Sequence, residues 1–272
     1  MLDLVEISMK RGLLIGDPIA QSISHITHNY AMSCLSIEGA YSKLQVSKEN
    51  LTKILPFLKE SPLDWLAVTM PLKEIIVPYL NHLRGRAQTL KVVNTILVNN
   101  GRWIGENCDG IGAVNAIEKR MSVEKSRVLV IGAGSTAKAI AYELKLRHAD
   151  ISIWNRSENR ARELCRELKI PYADQLDSSF DILINATPVG MKGDEMPISA
   201  SVMKGCALVF DVVYRPLETQ FLQVGKSLGA ITVSGLEMFL ELSAIQLKWA
   251  LNLSVDQKKL IEMLKTPLLK SL

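Results

Sequence analysis

"RVLVIGAGSTAKAIAYELKL", residues 127–146, decides the fold. Val128 to Ile131 form a short apolar run, the mark of a buried strand. The run breaks at Gly132-Ala133-Gly134, and from Ser135 the apolar residues recur at helical spacing. Gly132-Ala133-Gly134-Ser135-Thr136-Ala137 fits Gly-x-Gly-x-x-Gly/Ala. In that pattern Gly132 permits the tight turn, Gly134 lets the backbone approach a pyrophosphate, and Ala137 keeps helix and strand close. The helix start offers N–H donors and the positive end of its dipole to phosphate oxygens. The strand "DISIWNR" (150–156) follows about twenty residues on, which is the context a dinucleotide site requires; a glycine turn without ligand is the plain alternative.

The end of that second strand selects the nucleotide. An NAD enzyme commonly places an acidic residue there for the ribose 2′-hydroxyl, as do many S-adenosylmethionine enzymes. This chain has Asn155-Arg156-Ser157, with Arg160 one helical turn beyond Arg156. A guanidinium fork matches a 2′-phosphate, so NADP is favoured over NAD, and a methyltransferase is disfavoured. The structural alternative is that both arginines only solvate the helix of "NRARELCRELK".

Working outward, "FDILINATP" (180–188), "CALVFDVVY" (206–214) and "AITV" (230–233) read as further parallel-type strands. After Gly235 the chain reads as helical: "LEMFLELSAIQLKWAL", then "DQKKLIEMLKTPLLKSL". Upstream, "GLLIG" (12–16), "AYSKLQV" (40–46) and "DWLAVTMP" (64–71) read as strands. Helices are expected from about His25 and over "ENLTKILPFLKE". Asn100-Gly101 between β-rich runs predicts a hairpin over "VVNTILVNNGRWIGEN", and a helix is expected from Asp109 to Arg120. Alternating strands and helices indicate an α/β protein. The expected domains are 1–108 plus 236–272, and 109–235.

Composition bounds the function. The 272 residues are 48% hydrophobic, enough apolar mass for two modest cores. The net charge of +4, without Lys/Arg blocks, argues against a nucleic-acid platform and suits an anionic ligand. Cys34, Cys108, Cys165 and Cys206 are scattered without Cys-x-x-Cys, so a reducing cytoplasm is expected. "MLDLVEISMKRG" is a poor secretory signal, and no apolar run is long enough for a membrane span.

Three segments of the first half carry polar side chains at expected strand ends: "GDPIAQSISHITHN" (16–29), "VTMPLK" (68–73) and "VVNT" (92–95) with "GENCDG" (105–110). Each has an ordinary reading alone: Ser24 as a helix cap, Lys73 as a solvated cation, Asn94 as a strand-edge residue, Asp109 as a helix start. His25 and His28 are spaced for one helical face but lack a third ligand in any motif, so no metal is expected.

Together the segments resemble the shikimate dehydrogenase family. The likeness runs through Gly16-Asp17-Pro18 to His28-Asn29, Val68-Thr69-Met70-Pro71-Leu72-Lys73, Val93-Asn94-Thr95 and Asn107-Cys108-Asp109-Gly110. It continues in Asn155-Arg156, Asn185 to Met191, "FDVVYRPLETQFL" (210–222) and "SGLEMF" (234–239). The last is most similar to the plant and chlamydial branch, whose dehydrogenase is often fused to a dehydroquinase.

The resemblance implies an N-terminal α/β substrate domain and a Rossmann-type NADP-binding domain, with the C-terminal helices packed on the first. It implies NADPH-dependent, reversible reduction of 3-dehydroshikimate to shikimate. Lys73 and Asp109 would be the catalytic pair. Ser22 and Ser24 would hold the substrate carboxylate, with the Tyr214 phenol; Thr69, Asn94 and Asp109 would meet ring hydroxyls. Thr187, Val212 and Gly235 would join the glycine turn and the 155–160 segment in binding NADP. A monomer or homodimer is expected, alone or with a dehydroquinase. A quinate/shikimate enzyme and a nucleotide-sensing module that has lost catalysis stay as alternatives.

Four positions depart from the family pattern: His25 for Pro, Ala67 for Asn, Cys108 for Thr and Leu242 for Gln. The last removes a contact to a substrate hydroxyl, and Gln246, one turn further on the same helical face, is the candidate to replace it.

Overall fold

The computed structural model describes residues 9–268; the start of the N-terminal stretch judged above to be a poor secretory signal, and the last four residues of the helical reading of 256–272, lie outside them. The chain divides into two compact units. One comprises the described residues up to Cys108 and those from Ser243 on; the other is Asp109–Leu242.

The first unit runs β1 (Lys10–Gly16), α1 (Ser24–Cys34), β2 (Gly39–Gln45), α2 (Leu51–Glu60), β3 (Trp65–Val68), α3 (Leu72–Ile75), β4 (His82–Leu83), α4 (Gly85–Leu90), β5 (Thr95–Asn99) and β6 (Arg102–Glu106). Its mixed sheet has the order β2-β1-β3-β5-β6-β4. β1 is parallel to β2 and β3, whereas β3, β5 and β6 are antiparallel neighbours. The β5–β6 turn is the expected Asn100-Gly101, both at positive φ (49° and 74°), as the favoured hairpin turn demands. Leu51, Leu55 and Leu58 of α2 share one face and pack on Leu13, Ile15, Leu66, Val68 and Ile96 of the sheet.

β3 stops at Val68, short of Pro71. Val68 N–H donates to the Asn94 carbonyl and Thr69 N–H to the Ile15 carbonyl, and then the chain turns into α3 behind Pro71.

The second unit runs α5 (Asp109–Glu118), β7 (Arg127–Ile131), α6 (Ser135–Leu146), β8 (Asp150–Trp154), α7 (Glu158–Leu168), β9 (Ile182–Asn185), β10 (Leu208–Asp211), α8 (Gln220–Ser227), β11 (Ile231–Val233) and the first turns of α9 (Gly235–Leu251). Its sheet is wholly parallel, in the order β11-β10-β9-β7-β8. Val128–Ile131, Ile182–Asn185 and Leu208–Asp211 are buried throughout, as a parallel sheet covered on both faces requires. This is the expected α/β architecture, with a Rossmann-type sheet in the second unit. α10 (Gln257–Lys265) returns to pack on α1 of the first.

The second unit extends to Leu242, past the boundary expected at Gly235, because α9 is one unbroken helix whose first turns belong with α5. Lys119 pairs with the buried Glu241 at 2.5 Å, and Arg120 with Glu237 at 3.2 Å. A Cβ on Gly112 would lie 2.9 Å from Cβ of Leu242.

Gly110, within the Asn-Cys-Asp-Gly segment, has a packing reason of its own: an added Cβ would meet the Ala139 carbonyl oxygen of α6 at 2.2 Å. Gly110→Ala is therefore expected to cost about 2–3 kcal/mol, read as a lower urea midpoint with an unchanged slope.

Candidate active site

In the first unit, the polar segments meet at one edge of the sheet. The C-terminal ends of β1, β3 and β6 and the N-terminal end of β5 lie there by register, with Ile15 opposite Val68, Ala67 opposite Thr95, and Thr95 opposite Glu106. The loops after β1 and β3 touch: Asp17 N–H donates to the Met70 carbonyl at 2.9 Å. Gly16, at φ +156°, permits this, since a Cβ there would lie 2.3 Å from Cγ2 of Thr69.

Ser22 and Ser24 have their hydroxyl oxygens 3.0 Å apart, and Ser24 N–H donates to Ser22 Oγ at 3.4 Å. Ser24 is the first residue of α1, and its N-cap position is taken by Ile23, which has no capping side chain. The serine pair thus stands at a helix N-terminus, where hydroxyls, first-turn N–H groups and the dipole favour an anion. His28, behind it, is buried and stacked on Tyr41 with ring centroids 4.4 Å apart. Burial lowers its pKa to about 4, so the ring is neutral.

Lys73 sits half-buried on α3, its carbonyl accepting Val93 N–H at 2.8 Å. Asn94 is a buried hub. Its Oδ1 accepts from Thr95 Oγ1 (2.9 Å) and Cys108 N–H (3.1 Å), and its Nδ2 donates to Cys108 Sγ at 3.4 Å. Cys108, in the threonine slot, keeps a weak polar link to this hub. Gln246, expected to reach substrate in place of Leu242, spends both amide protons on the chain. They go to the Asn94 carbonyl (3.2 Å) and Thr95 Oγ1 (2.9 Å).

In the second unit, Gly132 follows β7 at φ +127°, a left-handed conformation that strains any other residue. A Cβ on it would meet the Ala186 carbonyl oxygen at 3.0 Å and Thr187 Cγ2 at 3.2 Å. The turns after β7 and β9 therefore close on each other where the strand order reverses, the place where open α/β sheets bind ligands. Gly134 is exposed, and a Cβ on it would meet nothing within 4 Å. The space it leaves open stands at the N-terminus of the twelve-residue α6, next to Ala133, Ser135 and Thr136. Ala137 is fully buried. That open cradle suits a pyrophosphate.

Asn155 Nδ2 donates to the Ser157 carbonyl at 3.1 Å, shaping the turn that bears the exposed Arg156 and Ser157; Arg160, also exposed, follows in the first turn of α7. Neither Arg156 nor Arg160 has an ion-pair partner among the described residues. Arg162, two residues further, is bound to Glu158 and Asp174 and stacked on Tyr172. Val212 and Gly235 meet: a Cβ on Gly235 would lie 2.3 Å from the Val212 carbonyl oxygen. Tyr214 is half-buried, stacked on Phe239 with centroids 5.7 Å apart. Asp109 is buried at the first position of α5.

Three residues absent from the sequence-based site hold these turns. Asn185 Nδ2 donates to the Val189 carbonyl and to Asp211 Oδ1, while its Oδ1 accepts from Thr187 N–H and Thr187 Oγ1. Asp211 accepts further from Val213 N–H at 2.9 Å and Thr219 Oγ1 at 2.6 Å. Polar residues ending buried strands were the available signal. Burial raises the Asp211 pKa to about 6, countered in part by the donors Thr219, Val213 and Asn185.

That shift has a defined sign. The folded chain holds the Asp211 proton more tightly than the unfolded chain, so stability falls as pH rises from about 4 to 6 and is level above. The change amounts to roughly 3 kcal/mol. Asp211→Asn is expected to flatten that interval in urea unfolding followed against pH; an unaltered slope would refute the assignment.

Comparison with known proteins agrees with this layout. Residues 14–96 match the model of the shikimate dehydrogenase substrate binding domain, and residues 115–190 that of shikimate / quinate 5-dehydrogenase. A shikimate dehydrogenase (NADP(+)) of Staphylococcus epidermidis is 34% identical over 251 residues, covering 90% of this chain and 93% of that one. Among solved structures, a shikimate dehydrogenase in complex with NADP+ aligns with a TM-score of 0.90 at 32% identity, over 97% of this chain and 96% of that one. A Thermus thermophilus shikimate 5-dehydrogenase in complex with NADP(H) and shikimate aligns with a TM-score of 0.89 at 29% identity, over 95% of this chain and all of that one. Matched in both units and along nearly its whole length, the chain belongs to the shikimate dehydrogenase family.

Proposed function

We propose that this chain catalyses the NADPH-dependent, reversible reduction of 3-dehydroshikimate to shikimate, a step toward chorismate and the aromatic amino acids. The observation that carries the reading is the gathering of Ser22, Ser24, Thr69, Lys73 and Asn94 at one sheet edge of a chain whose other unit carries Asn155-Arg156 directly after β8. The first unit takes the substrate and the second NADP. This is the activity named for its relatives.

NADPH, when bound, supplies the hydride. Gly132 to Ala137 would hold its pyrophosphate, Arg156 and Arg160 its 2′-phosphate, and Thr187, Val212 and Gly235 the remainder. Ser22 and Ser24 donate to the substrate carboxylate, with the Tyr214 phenol. Thr69 and Asn94 meet ring hydroxyls, Asn94 being aligned by Thr95, Cys108 and Gln246. Negative charge builds on the carbonyl oxygen as it is reduced, and the Lys73 ammonium stabilises that charge and supplies the proton. Asp109 binds a ring hydroxyl.

The likeness of residues 234–239 to the plant and chlamydial branch supports a place near it, with a dehydroquinase as the natural fusion or association partner. A monomer or homodimer is the proposed state.

The test is direct: with 3-dehydroshikimate and NADPH, shikimate should form mole for mole with NADPH consumed, identified by mass spectrometry. Absence of shikimate would sink the reading.

A further inference from the structure

The loop bearing Ser22 is held from behind by a lysine that no motif marks. Lys43 lies in β2, opposite Leu14 of β1. Its Nζ donates to three main-chain carbonyls of one loop, those of Ile19 (3.3 Å), Ala20 (3.0 Å) and Ser22 (3.3 Å). Three carbonyls converge on one point only if the loop curls around it, so an ammonium is fixed against the residue whose hydroxyl pairs with Ser24.

This bears on charge. A carboxylate in the Ser22/Ser24 cradle meets neutral hydroxyls, and the acidic or basic side chains of residues 16–29 are Asp17, His25 and His28. Asp17 repels an anion, though Gln45 Nε2 donates to it at 2.9 Å. Burial keeps His28 neutral. The pKa of His25 is lowered by burial and then by the charge of Lys43, so the field of that ammonium reaches the first turn of α1. All three of its donors serve the loop, so the ammonium is fixed there.

We propose that Lys43 is the positioning residue that makes the Ser22/Ser24 cradle prefer a carboxylate over an uncharged group, pinning the serine loop and supplying the positive potential the serines lack. The proposal rests on the function proposed above.

Lys43→Met and Lys43→Arg test it, each assayed with shikimate and with its uncharged methyl ester at saturating NADP. Lys43→Met should raise the KM for shikimate about tenfold more than the KM for the ester, leaving kcat and the KM for NADP close to the parent values. Lys43→Arg should restore most of the preference for the acid. Added salt should erode that preference in the parent protein and leave it flat in Lys43→Met. If acid and ester lose affinity together, or neither does, the charge role is overturned and Lys43 is a loop clamp alone. Both substrates are measured on one preparation, so partial unfolding does not imitate the expected result. Failure of the parent chain to oxidise shikimate is a separate outcome, and it would remove the functional reading together with this proposal.

Discussion

Lys73→Ala is expected to lower kcat for shikimate oxidation by roughly a thousandfold while the protein stays folded. The expectation follows from where the side chain is held. Leu72, beside it, is fully buried, and the Lys73 carbonyl is fixed by Val93 N–H, so the backbone of α3 survives loss of the ammonium. What disappears is the one cation of the "VTMPLK" segment at the sheet edge shared by Thr69 and Asn94. Charge that develops only as hydride moves is then left without its partner, so the loss should appear in kcat more than in KM. Circular dichroism and a melting point close to the parent value would show that the fold is kept. Near-parental turnover would contradict the role assigned to Lys73.

Arg156→Ala is expected to raise the KM for NADP by roughly 10- to 100-fold, the worth of a charge-assisted phosphate contact, and to leave the KM for shikimate unchanged. Arg156 is exposed, on a turn shaped by Asn155 and Ser157. Activity with NAD, which lacks the 2′-phosphate, should be little altered, so the nucleotide preference should narrow. Arg162→Ala is the internal control. That guanidinium is committed to Glu158, Asp174 and the Tyr172 ring, and its loss should leave both nucleotide constants in place. Equal effects of the two substitutions would remove the case for a 2′-phosphate site at Arg156.

Much of the fold was legible because its signals are local. β7, the glycine turn and α6 follow from an apolar run, Gly132 and Gly134, and helical spacing from Ser135, all within twenty residues. The Asn100-Gly101 hairpin was legible for the same reason. β4, α3 and α4 were missed because two, four and six residues are too few to establish a period. The unit boundary was expected at Gly235, where the chain turns helical, whereas the second unit runs on to Leu242, with Lys119 and Arg120, just after α5, paired to Glu241 and Glu237 of α9.

The site divides likewise. Ser22, Ser24, Lys73, Asn94 and Asp109 were named as candidates through motif likeness. Asn185, Asp211 and Thr219 work through partners as far as 26 residues away, and Lys43 through carbonyls more than 20 away. Spacing carries no trace of such contacts. Gln246 shows the limit from the other side: its amide protons go to Asn94 and Thr95, partners that helical spacing does not reveal.

The central claim is that this chain oxidises shikimate with NADP. Its most direct measurement is the initial rate of nucleotide reduction with shikimate or quinate, each paired with NADP or NAD. The account predicts the highest kcat/KM for shikimate with NADP, exceeding shikimate with NAD by at least about tenfold. No reduction of either nucleotide with shikimate would contradict it.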